Sequence, residues 1–276
     1  AVVVLQGEDA DVKSTQMLFP LADKTSPTVQ PYSHSTIVYN TIGGNQWTNA
    51  GQWAQWSFYA PESGLYALSA HFKQALKNDS ASVREIRIDG AAPFAEADNW
   101  QFPYASVWQT EWFADAAGAP FELYLEEGWH TLRLTVGAGD YNEIISLASG
   151  YLNELNGIYR SIIAITGANP DRYRDYKLDK MIPEVIGQME EMSQKLRALE
   201  QQVAQIDGST RSVADIKRLY TQLELMLEDT DTIAVRLTSY KDTIASFGTW
   251  INTQRGQPLE LDWLRLSSAE AALPRG

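Results

Sequence analysis

Hydrophobic and polar positions alternate in two rhythms along this 276-residue chain. Through residues 1–140 the rhythm is short. Gln52 to Tyr59 spaces its aromatic residues with partial period two, Leu65 to Phe72 follows, and Pro61-Glu62-Ser63-Gly64 between them is a turn signal. Val83 to Ile88 alternates and ends at Asp89-Gly90; Phe121 to Leu125 and Trp129 to Val136 are joined across Glu126-Glu127-Gly128. Many short strands with a turn every ten or so residues predict an antiparallel β-sandwich of the jelly-roll kind.

From residue 142 to 255 the period lengthens. Ile144, Ala148, Tyr151, Leu155, Ile158, Ile162 and Ile165 step alternately by four and three, and Ile182, Val185, Met189, Met192, Leu196, Leu199, Val203 and Ile206 continue the rule. So do Val213, Ile216, Tyr220, Leu223 and Leu227, then Leu237, Tyr240, Ile244, Phe247 and Ile251. Each stripe is a seven-residue repeat, as helices that share a seam require. Breakers fall at Gly167 to Pro170, Asp207-Gly208-Ser209 and Asp229-Thr230-Asp231, with Ser209 suited to an N-cap. Four helices with short connections predict an antiparallel bundle. Pro258 to Leu266 then alternates again. A lone strand cannot stand at the end of a bundle, so it is expected to return to the first sandwich. The reading is a mainly β fold with a four-helix bundle inserted before the last strand: sandwich 1–140 plus 258–270, bundle 141–257.

Composition narrows the function. The net charge is −13, and residues 1–140 hold 16 acidic against 7 basic side chains. Such a surface repels nucleic acid and anionic lipid. No apolar run is long enough to span a membrane, so membrane insertion is not expected. Val2 to Leu5 is too short for a signal-peptide core, and the chain reads as a mature or excised segment. Without cysteine there are no thiolate metal sites and no disulfides. Of nine Trp, eight lie outside the helical stretch. They serve either as core or as exposed stacking platforms, and both roles stay open for each ring.

Catalytic signals are sparse. His34, His71 and His130 are scattered, and no HExxH, phosphate loop or Gly-Xaa-Ser-Xaa-Gly occurs. Glu126-Glu127, the tight acidic pair of the β region, precedes Gly128 in a turn. A hydrolase would need paired carboxylates in a cleft, and the expectation is that the chain is not an enzyme. Gln6 and Glu8 are two apart on a strand and share a face. With Asp262 on the last strand they form a candidate oxygen set for a hard cation, against the alternative of solvated edge residues.

The run Leu5-Gln6-Gly7-Glu8-Asp9-Ala10 resembles the opening strand of the jelly-roll carbohydrate-binding modules of families 6 and 35, which are galactose-binding-like. Trp53-Ala54-Gln55-Trp56-Ser57-Phe58 with Pro61-Glu62-Ser63-Gly64-Leu65-Tyr66 resembles their first hairpin, and Leu261-Asp262-Trp263-Leu264-Arg265-Leu266 their closing strand. The resemblance implies a structural Ca2+ held by Glu8 and Asp262, with Gln6 standing where an acid is usual. Further stretches, chiefly Ile165-Thr166-Gly167-Ala168-Asn169-Pro170-Asp171-Arg172-Tyr173-Arg174-Asp175-Tyr176, resemble the N-terminal region of large extracellular solute-binding proteins found beside carbohydrate ABC importers in Paenibacillus-like bacteria. That resemblance implies a non-catalytic, extracellular or cell-surface bacterial module. Its partners would be a polysaccharide or oligosaccharide, neutral or weakly charged, and other domains of a larger parent chain. Loop aromatics would hold the sugar: Trp100 foremost, with Tyr104, Trp108, Trp47 and Tyr32, and Asn99, Asn45 and Asn49 as polar companions. Trp53, Trp56 and Trp263 are expected in core or sheet face. The alternative is a docking module whose bundle packs on a partner domain and binds no sugar.

Overall fold

Each apolar face found along residues 1–140 is used once, by closing one sheet over another. The computed structural model describes residues 1–77, 80–139, 141–207 and 210–274. Ser209 and part of the second helical breaker lie outside the described residues. The strands are β1 (Val2–Gln6), β2 (Val12–Lys13), β3 (Ile42–Gly44), β4 (Trp53–Ala60), β5 (Gly64–Gln74), β6 (Ser82–Ile88), β7 (Trp100–Phe102), β8 (Ala105–Trp112), β9 (Glu122–Leu125), β10 (Gly128–Val136) and β11 (Leu259–Ser267). A six-stranded sheet runs β1-β11-β5-β8, with β3 added on β11 and β9 on β5; a five-stranded sheet runs β2-β4-β10-β6-β7. The last strand therefore sits between β1 and β5 and runs antiparallel to both. Leu5, Leu68, Phe72, Leu264 and Leu266 from one sheet meet Trp56, Phe58, Ile86, Leu132 and Leu134 from the other in a single core. Trp56 is buried and its Nε1 donates to the Gln6 carbonyl at 2.8 Å.

Two local features set the ends of strands. Asp89 and Gly90 both have positive φ, 51° and 82°, and Ile88 and Ala91 bridge across them, the tight hairpin turn that Asp-Gly favours. Gly43, at φ 118°, allows β3 to close on β11, since a Cβ there would fall 1.9 Å from the Leu259 carbonyl oxygen.

Residues 95–112 differ from expectation. Trp100 and Trp108 are expected in loops with Tyr104, yet Trp100 opens β7 and Trp108 lies within β8, leaving only Tyr104 of these three rings in a connection. Burial along β8 does not alternate: Ser106 and Val107 are both exposed before buried Trp108, and the pairing with β5 shifts register there, so no period-two signal marks the strand in the sequence.

The second unit, Asp140–Arg255, consists of α1 (Asn142–Thr166), a single-turn α2 (Leu178–Met181), α3 (Pro183–Asp207), α4 (Thr210–Glu228) and α5 (Ile233–Arg255). Helix α1 packs on α3 and α5, and α4 on α3 and α5, which closes a four-helix ring. Leu155, Ile162, Met189, Leu196, Leu223, Tyr240 and Phe247 fill its core. The predicted stripes hold except at two helix ends: Ile206 of α3 is exposed, and in α4 Met226 is buried in preference to Leu227. Tyr240 donates to the Leu155 carbonyl at 3.0 Å, tying α5 to α1. Arg197 makes a two-point ion pair with Glu224, 2.7 and 2.8 Å, between α3 and α4. No helix among the described residues is long and apolar enough to cross a membrane.

Candidate functional site

The residues read as a sugar platform are not gathered into one place. Trp47 is sealed in the core at 0 % exposure, with the Arg84 guanidinium 4.5 Å from its ring centroid. It has no face to offer a ligand. Trp100 is half-buried against Phe94, Phe113 and Phe121, centroids 5.9, 4.9 and 6.3 Å away, so the cluster explains it as packing. Tyr32 is half-buried and its hydroxyl lies 3.3 Å from His34 Nδ1. Asn99, Asn45 and Asn49 are exposed, and Tyr104 is 45 % exposed. Of the sheet tryptophans, Trp53 carries the Arg133 guanidinium 4.1 Å above its ring.

Trp108 stands in a different setting. It projects from the outer face of the six-stranded sheet, beside His71 at 5.2 Å, which is itself 5.5 Å from Trp263. The connection between β2 and β3 covers this face. Buried Asn40 holds that segment in place: Nδ2 donates to the carbonyls of Asp23 and Pro31 at 2.9 and 3.0 Å, and Oδ1 accepts from Asp23 N at 2.8 Å. Asp23 is thereby aimed at the sheet. Its Oδ2 accepts from Trp108 Nε1 at 3.1 Å and from Lys73 Nζ at 2.9 Å, and Lys73 also reaches Glu260 Oε2 at 2.9 Å. Burial alone would push the Asp23 carboxyl up, but hydrogen bonds from Thr25 and Lys73 leave it below its ordinary value. Burial would likewise lower Lys73, and Glu260 with Asp23 hold it above the usual lysine range. Asp23 and Lys73 thus both stay charged at neutral pH. It borders a crevice of about 530 Å³, lined by Lys73, Trp108, Glu260, Ser106, Val107 and Thr25 among others. Neither Asn40 nor Asp23 was legible as a site residue, because the bonds that tie them to Pro31, to each other, to Lys73 and to Trp108 span 9 to 85 positions of sequence.

The three cation candidates are placed as follows. Asp262 is fully buried at an irregularity in β11; its Oδ2 lies 2.6 Å from His71 Nδ1, and its Oδ1 accepts from Gln30 N at 3.3 Å. Burial raises its carboxyl, with His71 opposing. Glu8, in the single 3-10 turn after β1, is pushed up to about 7 by burial, with Asp9 and Asp262 adding repulsion. Its Oε2 is buried with no hydrogen-bond partner among the described residues, and the same is true of Gln6 Oε1. Gln6 itself lines a separate cavity on the sheet's outer face. Among the described residues no group of three or more His, Cys, Asp or Glu converges as a metal set. The pair Glu8 and Asp262 nevertheless fits a hard cation. A carboxylate oxygen buried without a donor, beside a second carboxylate, is an arrangement that positive charge would stabilise.

Comparison with known proteins bears on the helical unit. Residues 143–253 match the model of the bacterial solute-binding protein, 4-helix bundle domain. The match begins within α1 and ends within α5. No curated protein matches the chain. Among solved structures, a family 35 carbohydrate-binding module from Clostridium thermocellum is 19 % identical with a TM-score of 0.36, covering 51 % of this chain and 89 % of that module. A family 35 module from Cellvibrio japonicus Abf62 is 17 % identical with a TM-score of 0.32, covering 49 % and 82 %. A Paenibacillus sp. cycloisomaltooligosaccharide glucanotransferase is 20 % identical with a TM-score of 0.35; the match covers 49 % of this chain but only 16 % of that enzyme's length.

Proposed function

We propose that this chain is a non-catalytic saccharide-binding module of a bacterial extracellular or surface protein concerned with sugar uptake, and that a glycan enters the crevice at Trp108. The crevice is the observation that carries this reading. It combines an indole with a Lys73–Asp23–Glu260 network whose oxygens and ammonium can exchange hydrogen bonds with ring hydroxyls. The bundle's likeness to a solute-binding protein domain supports the setting. Trp108 is only 6 % exposed, so the ring serves as a wall and the charged groups do the recognising. Retardation in native gels containing soluble neutral polysaccharides tests the reading. One glycan of the panel is expected to retard the chain, and Glu260→Gln with Lys73→Met to weaken it by about tenfold. A panel in which no glycan retards the protein overturns it.

Within the same reading, Glu8 and Asp262 hold a structural Ca2+. The ion would neutralise the two carboxylates and fasten the first turn to the last strand. Millimolar Ca2+ is expected to raise the melting temperature, and Glu8→Gln to abolish that rise. Equal melting with Ca2+ and with chelator counts against the site.

A further inference from the structure

Four strands of the six-stranded sheet each contribute one residue to a single transverse row on its outer face. Gln6 of β1 pairs with Trp263 of β11, Trp263 with His71 of β5, and His71 with Thr110 of β8. Directly paired residues project to the same side. An amide, an indole, an imidazole and a hydroxyl therefore lie side by side. All four line a cavity of about 280 Å³ that shares Thr28 with the crevice at Trp108 but is otherwise distinct from it.

The polar atoms of this row are unfinished. Gln6 Oε1 and Thr110 Oγ1, on its two outer residues, are buried and have no hydrogen-bond partner among the described residues. His71 is fixed from one side by Asp262, Nδ1 to Oδ2 at 2.6 Å, and its Nε2 sits 3.5 Å from Thr28 Oγ1, beyond a good hydrogen bond. Buried polar atoms are ordinarily satisfied, so this row asks for a ligand with several hydroxyls. An apolar ligand would leave the atoms bare. A cationic one would find no carboxylate among the lining residues, where Arg265 is the formal charge. The volume admits one six-membered ring with its substituents, and Trp263 supplies an aromatic wall.

We propose that this cavity binds a single neutral pyranose, free or at the end of a glycan chain. Its hydroxyls donate to Gln6 Oε1 and exchange hydrogen bonds with Thr110 and with His71 Nε2. The proposal rests on the saccharide reading given above and adds a second, smaller subsite to it.

Titration calorimetry and saturation-transfer NMR on the full chain, with glucose, galactose, mannose and xylose as probes, test it. Gln6→Leu and Thr110→Val each remove one polar atom and keep the bulk. One of the sugars is expected to bind, and each variant to weaken it by about tenfold or more. Without sugar both variants should melt no lower than the parent, because each replaces an unsatisfied buried atom by an apolar one. The proposal is overturned if no monosaccharide binds or if both variants bind as the parent does. It is equally overturned if the variants melt lower without sugar, since water alone then satisfies the row. Loss of the Ca2+ effect in Gln6→Leu would assign that amide to the cation and also overturn it. Any of these outcomes with polysaccharide retardation intact removes this cavity and leaves the broader reading standing; absence of retardation in the parent removes the broader reading itself.

Discussion

Among the described residues, the buried Lys, Arg, His and Asp side chains are Lys77, Arg84, His71 and Asp262, all in the sandwich, whereas the bundle buries only the neutral polar groups of Thr166, Ser193, Gln222 and Gln254 beside its apolar core and tyrosines. The helical unit pairs its backbone within its own helices and gives its interior chiefly to packing. The sandwich leaves room between strands and covering loops for groups that must find partners far away. Arg84 is the clearest case. At 0 % exposure it donates to the carbonyls of Val83, Gln257 and Trp47 at 2.9, 2.8 and 2.8 Å, and burial without a carboxylate pushes its guanidinium down to about 9. Gln257, the residue at which the chain rejoins the sandwich, also accepts from Val83 N through Oε1 and donates its own N–H to the Thr48 carbonyl. A Cβ on Gly139, where the chain leaves, would meet Gln257 Nε2 at 2.9 Å. Departure and return points are adjacent and tied down by the sandwich's own residues.

The comparison can be broken most severely by removing one unit. Replacing residues 140–255 with about four glycines, within the usual range for a short connection, should leave a sandwich that unfolds cooperatively. Near-UV circular dichroism and a thermal scan check this, and a molten product would show that the polar clamp at Arg84 and Gln257 is not self-sufficient. Next in size is Asp262→Ala. Stranding His71 and the Gln30 N–H in the interior should cost about 3–5 kcal/mol by urea denaturation. The bundle's counterpart, Leu155→Ala, removes only packing and should cost about 2–4 kcal/mol. Equal sensitivity of the two units to neutral polar-to-apolar changes would weaken the contrast.

A smaller effect comes from Glu8. Its folded-state value of about 7 exceeds the ordinary 4.5, so the folded chain binds more protons than the unfolded chain between those values. Without Ca2+, stability should fall as pH rises through that window, by about 1–2 kcal/mol once partial solvent screening is allowed for. Ca2+ should flatten the slope, and a flat profile in chelator would show that the carboxylate is not strained. The smallest effect belongs to the bundle surface. Breaking the Arg197–Glu224 pair with Arg197→Ala should leave the urea midpoint almost unchanged, because both partners meet solvent.

How far the sequence was legible differs between the units for the same reason. The bundle could be read almost residue by residue, since a seven-residue repeat repeats one packing rule and errors arise only at ends such as Ile206. The jelly roll was legible as a fold through its turns and hairpins, and the return of Pro258 to Leu266 to the first sheet followed from the inability of a lone strand to stand apart. The site was not legible in that way. Trp47 and Trp108 are each followed by two polar residues and set among hydroxyl and amide side chains, yet one is capped by Arg84 and the other borders a crevice.

Local periodicity thus determined the two units, the class of each, and the position of the insertion in the chain, because hydrophobic spacing acts between near neighbours. Only the tertiary structure decided which aromatic rings are buried, that Asn40 and Asp23 organise the crevice, and that Gln6, Trp263, His71 and Thr110 share one row. Those choices depend on register between strands far apart in the chain, such as Gln6 with Trp263 and Trp263 with His71, and register follows from the closing of the whole sheet.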